Sequence, residues 1–67
     1  MEVQARLGKN VRMHREAAGV SQEEFAHIVG IHRTYVSDLE RGTRNPTISV
    51  VDKIARALKV SAGSLLD

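Results

Sequence analysis

The sequence predicts an all-α domain of five short helices, and three observations carry that reading. Apolar residues recur at three- and four-residue spacing along the whole chain, and no segment alternates with the two-residue period of a strand. Capping residues and glycines, among them Ser21, Gly30, Thr47 and Ser61, fall where short helices would begin or end. The 67 residues allow one core and one domain, 1–67. A domain this small buries only about 60% of the surface its unfolded chain exposes.

In the first segment Val3, Leu7 and Val11 recur every four residues and are expected to face inward, with Gly19 ending the helix and Val20 leading on. Ser21 followed by Glu24 is a capping box, in which hydroxyl and carboxylate each satisfy a backbone N–H of the other residue. The second helix then runs for about two turns, with Phe25, Ala26 and Val29 inward. Gly30 suits the left-handed position after it, where a Cβ is costly. His32 stands at the next N-cap and is a poor cap, so packing must stabilise that start. The third helix spans about Arg33–Glu40, with Val36 and Leu39 inward and Arg33, Thr34, Ser37 and Asp38 outward. Gly42 ends it. A loop follows, in which Pro46 holds Asn45 extended. Thr47 caps a fourth helix whose stripe is Ile48, Val51, Ala55 and Leu58, widened by Ile54. Ser61 caps a short fifth helix ending at Leu65 and Leu66.

Composition excludes several classes. There is no cysteine, so neither a disulfide nor a thiolate metal site is expected, and aromatics are 3%, so the core must be aliphatic. His14, His27 and His32 lack ligand-like spacing, so no metal and no cofactor are expected. No nucleophile–base set, acid pair or phosphate-cradling glycine loop suggests an enzyme. No apolar run approaches the roughly 18 residues of a membrane span, and no secretory segment is apparent, so a cytoplasmic protein is expected. The net charge of +2 is modest but unevenly spread. Arg6, Lys9, Arg12 and Arg15 share the first segment, Arg41 and Arg44 flank the turn after the third helix, and carboxylates lie between them. Such a distribution can hide a basic face suited to a phosphate backbone.

Residues 21–40 therefore read as two helices around a tight turn, the second opening with Arg33-Thr34-Tyr35, side chains better suited to DNA than to a core. That is the layout of a helix-turn-helix, which presents the first turn of its second helix to the major groove. Arg33 is the candidate for bidentate contact with guanine; the alternatives are a phosphate contact or a solvated surface arginine. Thr34 offers a methyl to thymine or a hydroxyl to a base, and Ser37 can bond a base or a phosphate. Asp38 has four readings: an acceptor for cytosine N4, an orienting partner for Arg33, a charge that repels unsuitable sequences, or a plain helix-face charge. Tyr35 can pack its ring while its hydroxyl reaches a phosphate. His32, Arg41, Thr43, Arg44 and Asn45 are candidate phosphate contacts, against the reading of a solvated basic loop.

The chain resembles the Cro/CI-type, XRE-like helix-turn-helix regulators of phages and bacteria. The matching residues are Ser21-Gln22-Glu23-Glu24, Ala26, Gly30, Ser37 to Gly42, Asn45-Pro46 and Ile54 to Val60. The stretch His32-Arg33-Thr34-Tyr35 is also similar to the controller proteins of restriction–modification systems. The resemblance implies a five-helix, lambda-repressor-like domain that binds a double-stranded operator as a homodimer and regulates transcription. Repression is the simpler default; contact with RNA polymerase from an adjacent site would instead activate. The resemblance further implies that Gln22 bonds a phosphate, aided by its place at a helix N-terminus. It implies that Arg15 and Glu40 form a partly buried salt bridge. It places the two-fold contact near Asn45–Ser49 and Ser64–Leu66; Val50, which has no core role if Val51 points inward, is a further candidate for that contact or a plain exposed apolar residue. The family often carries a second sensing domain, so the chain is expected to be either a stand-alone regulator or a DNA-binding portion. An antitoxin-like protein-interaction module on the same fold is the competing class.

Overall fold

Residues 2–67 are described by the computed structural model as five helices: α1 Val3–Ala17, α2 Gln22–Val29, α3 Arg33–Glu40, α4 Ile48–Leu58 and α5 Ala62–Leu66. The all-helical fold read from the apolar spacing is borne out. The longest helix, α1, packs against α3, α4 and α5, while α2 packs against α3 and α4. The pair α2–α3 is thus held against a small core that is aliphatic except for Phe25.

That core is Leu7, Val11, Phe25, Ala26, Val29, Val36, Leu39, Val51, Ile54, Ala55 and Leu65. It contains the stripes expected of α2 and α3 in full. Four residues need correction. Val3 and Ile48, read as inward, are exposed. Each lies in the first turn of its helix, where it lines an open apolar groove instead of the closed core. Leu58, at the other end of its stripe, is half-buried and packs on the outside of the core. Val50, read as an outward residue for a two-fold contact, is half-buried against the core.

Local chemistry explains the boundaries. The Ser21 hydroxyl accepts from the Glu24 N–H at 3.1 Å, and the Ser21 N–H donates to Glu24 Oε1 at 3.1 Å, completing the box. The Ser21 backbone N–H above all, and the Ser21 hydroxyl beside it, hold the Glu24 carboxyl below its usual range. The box therefore stabilises the fold above the ordinary glutamate pKa and loses its carboxylate half as pH falls through the lowered value. Gly30 adopts φ 85°, and the N–H groups of Gly30 and Ile31 both donate to the Ala26 carbonyl. This closes α2 in a turn short enough to set α3 beside it. Thr47 and Ser61 cap α4 and α5 through their hydroxyls, accepting from Val50 and Ser64. His32 makes no side-chain cap bond at the start of α3, so that start is held by Ile31 and Val36 packing on the core.

Candidate nucleic-acid interface

With His32 bonding no helix amide, the first turn of α3 is open. His32, Arg33 and Thr34 are exposed there, and Tyr35 is half-buried. One turn further on, Ser37 and Asp38 are half-buried on the same side. Arg33, Thr34, Ser37, Asp38 and Arg41 join Gln22 of α2 around a shallow cavity of about 270 Å³. All four candidate base-reading residues therefore gather in one hollow, together with two of the candidate phosphate contacts. A second hollow of about 400 Å³ shares Gln22 and Arg33 and extends to Arg15, Ser21 and Glu23 at the start of α2. The first-turn amides of α2, aided by the helix dipole, lend this edge a positive character.

Beneath the hollow runs a buried ionic network. Arg15 donates through Nε to Glu40 Oε2 at 2.6 Å, through Nη2 to Glu40 Oε1 at 3.0 Å, and through Nη1 to the Val20 carbonyl at 2.7 Å. Gln22 Nε2 adds a third bond to Glu40, at 3.0 Å on Oε1. The two charged side chains are only 9% and 4% exposed. Its bonds to Glu40 raise the Arg15 pKa further above its normal value, against the opposing effect of burial. The network ties α1, the α1–α2 turn, the start of α2 and the end of α3 into one unit. Gln22 thereby gives one N–H of its side-chain amide to Glu40 while lining both hollows.

At the exit of α3 the charges are arranged differently. Asp38 Oδ1 accepts from Arg41 Nη2, and Asp38 Oδ2 accepts from Arg44 Nη2 at 3.4 Å. The partners of Asp38 are thus Arg41 and Arg44 rather than Arg33. The Arg44 guanidinium also lies over the Tyr35 ring, 4.4 Å from its centroid. The backbone carbonyl of Asp38 accepts from the Thr43 N–H and the Thr43 hydroxyl, both at 3.0 Å, which folds the loop back on the helix. Asn45 follows in the loop and is exposed.

Sequence reasoning missed the Gln22–Glu40 bond and the Asp38–Arg44 pair. The Asp38–Arg41 pair has i,i+3 helical spacing and could have been read. The other two join residues across a turn and carry no such signal. Among the described residues, no group of three or more histidines, cysteines, aspartates or glutamates is placed to hold a metal ion, and no helix is long and apolar enough to cross a membrane.

Five helices, a tight α2–α3 turn, and an exposed polar first turn on α3 beside basic loop residues define a helix-turn-helix DNA-binding domain of the transcription-regulating class. The chain belongs to the HTH_3 helix-turn-helix family, whose model matches residues 11–65. It is 42% identical over 66 residues to the control protein C.SmaI of Serratia marcescens, covering 98% of this chain and 79% of that protein. Its fold matches the crystal structure of the hypothetical transcription factor NHTF from Neisseria with a TM-score of 0.94 and 44% identity, covering 98% of this chain and 76% of that one. It also matches SinR, the master regulator for biofilm formation, in a crystal structure with DNA. There the TM-score is 0.86 and the identity 34%, over 91% of this chain and 98% of that chain.

Proposed function

We propose that the protein is a controller-type transcriptional regulator that binds a pseudo-palindromic operator as a homodimer, with one α3 in each of two successive major grooves. The observation that carries this reading is the single hollow in which Arg33, Thr34 and Ser37 of α3 meet Gln22 and Arg41. Base-reading donors and phosphate-binding groups share one face, as a groove-docked helix requires. The relative C.SmaI is named a control protein, and the similar SinR structure contains DNA, which supports the same reading. Size supports it too. The domain measures 27 × 22 × 21 Å, small enough for two copies to sit on one face of a duplex with their α3 helices about 34 Å apart, one turn of DNA.

In this scheme Arg33 takes a guanine edge and Thr34 and Ser37 take neighbouring edges. The α2 N-terminus with Gln22, and His32, Tyr35, Arg41, Thr43, Arg44 and Asn45, meet phosphates and set register. Occupying a promoter represses; a neighbouring polymerase contact would activate.

Selection of bound duplexes from random DNA tests the scheme, since it returns half-site, symmetry and spacing together. Arg33→Ala is expected to relax one base position per half-site, losing about 1–3 kcal/mol of discrimination there. Arg44→Ala should weaken all sites alike. An unchanged base preference in Arg33→Ala would refute the assignment.

The two-fold contact is proposed at an apolar groove of about 260 Å³ lined by Val3, Leu7, Pro46, Ile48, Val51 and Leu66. Ile48 is 88% exposed at its edge, an unusual setting for a large aliphatic side chain. Ile48→Asp is expected to shift the protein to monomer in sedimentation equilibrium, with a stability change within about 0.5 kcal/mol because no core contact is lost. A persisting dimer would place the contact elsewhere.

A further inference from the structure

We propose that the Asp38 carboxylate acts as an internal stand-in for a DNA phosphate. It holds Arg41 and Arg44 at the exit of α3, so that either arginine bonds the backbone only in competition with it. The proposal rests on the DNA-binding reading above and gives Asp38 a positioning role instead of a base contact.

The geometry is that of an occupied anion site. Each carboxylate oxygen takes a different guanidinium, Oδ1 that of Arg41 and Oδ2 that of Arg44. Phosphate oxygens accept from arginine in the same manner. The Asp38 side chain is 23% exposed, more sheltered than either arginine, so the carboxylate is the fixed partner and the arginines the movable ones. Its backbone carbonyl anchors Thr43, the residue before Arg44, through two bonds. Tyr35 stacks under the same guanidinium and limits where it can go. Two cations and one carboxylate leave this corner with a charge of +1 in place of +2. Solvent-screened ion pairs of this kind contribute little to stability, so their consequence falls on binding. Phosphate contacts supply the sequence-independent part of DNA affinity and its salt dependence. Asp38 therefore acts as a brake on affinity for any duplex, without reading its sequence.

Asp38→Asn keeps the side chain's shape and removes its charge. It is expected to tighten binding to random-sequence duplex about threefold to tenfold near 0.1 M salt, the scale of two screened ion pairs. It should also steepen the slope of log affinity against log salt by up to about 0.9, the contribution of one phosphate contact. Base preference in a selection from random DNA should not change. Asp38→Ser should act in the same direction and covers a failure of the asparagine variant to fold, which circular dichroism would reveal.

Two controls separate the brake from a simple gain of positive charge. Asp52→Asn removes the same charge from an ion pair with Arg56 on α4, and it should change affinity less than twofold. In an Arg41→Gln/Arg44→Gln background the effect of Asp38→Asn should vanish. Unchanged affinity and slope, or an effect equal to that of Asp52→Asn, would overturn the proposal. So would a changed preference at one base position with an unchanged slope, since that marks a direct base contact. A wild-type protein that binds no duplex at low salt removes the DNA-binding reading and the brake together. Wild-type binding with a silent Asp38→Asn removes the brake alone.

Discussion

Glu40→Ala is expected to destabilise the domain by about 3–5 kcal/mol, the cost of stranding a desolvated charge. The Glu40 carboxylate is 4% exposed and accepts three hydrogen bonds, two from Arg15 and one from Gln22. Truncation leaves the Arg15 guanidinium buried with only the Val20 carbonyl as partner, and leaves the Gln22 amide without its acceptor. Small domains have little stability to spare, typically about 5–15 kcal/mol in total and less at this size. At roughly 4–8 °C per kcal/mol for a domain of this length, the melting midpoint should fall by well over 10 °C. Asp38→Ala, two residues earlier on the same helix, removes only screened ion pairs, each contributing about 0.2–1 kcal/mol. Thermal and urea melts of the two variants check the contrast, and equal midpoints would refute it. The raised Arg15 pKa means that the pair's contribution is fully present below the ordinary arginine value and is lost only as pH rises through the raised one. The contrast between the variants should therefore persist across the whole neutral range.

Interactions confined to one helix or one turn were legible in the sequence. The Ser21–Glu24 box lies within one helical turn, and its spacing alone names it. The inward residues of α2 and α3 follow from the 3.6-residue period, because every residue of both predicted stripes reaches the core. Periodicity failed at Val3 and Ile48 for a physical reason. It reports which side of a helix is apolar, not whether another helix reaches that turn. Ile48 in fact points to the apolar groove proposed for the two-fold contact. The exposed candidates Arg33 and Thr34 were legible because their face is opposite Val36 and Leu39. Glu40 lies on that same short helix, yet its role depends on a residue 25 positions away and entered only through the family resemblance. The pairing of Asp38 with Arg44 depends on how the loop folds back through Thr43, which no local pattern specifies.

Gly8 is the position whose importance the sequence conceals most, and Gly8→Ala is the substitution that should expose it. A glycine inside a helix reads as a weak point, because alanine there is favoured by about 1 kcal/mol. On propensity alone, Gly8→Ala would stabilise α1. Packing gives the opposite sign. A Cβ at position 8 would sit 2.3 Å from the Leu39 carbonyl oxygen and 2.8 Å from that of Glu40. Real Cβ atoms essentially never approach a heavy atom within 3.0 Å, and here both obstacles are backbone, which cannot swing aside. A Cβ added at Gly42, which has φ 76°, would likewise sit 3.1 Å from the Ala5 Cα, so α1 lies close against the end of α3 and the turn after it at both glycines. Relief requires moving α1 off α3, and that displacement pulls Arg15 from Glu40, which spans the same two helices. Overpacking in a well-filled core costs about 1–3 kcal/mol, occasionally more. With the ionic pair disturbed as well, the net loss should reach about 3 kcal/mol despite the gain in helix propensity. The same shift would tilt α3 relative to α2 and so misplace Arg33 from Gln22 across their shared hollow. Gly8→Ala is therefore expected to lower both the urea midpoint and the DNA affinity of the fraction that remains folded, although position 8 lies on neither α2 nor α3. A variant with an unchanged or raised midpoint would mean that α1 and α3 are not in backbone contact at Gly8.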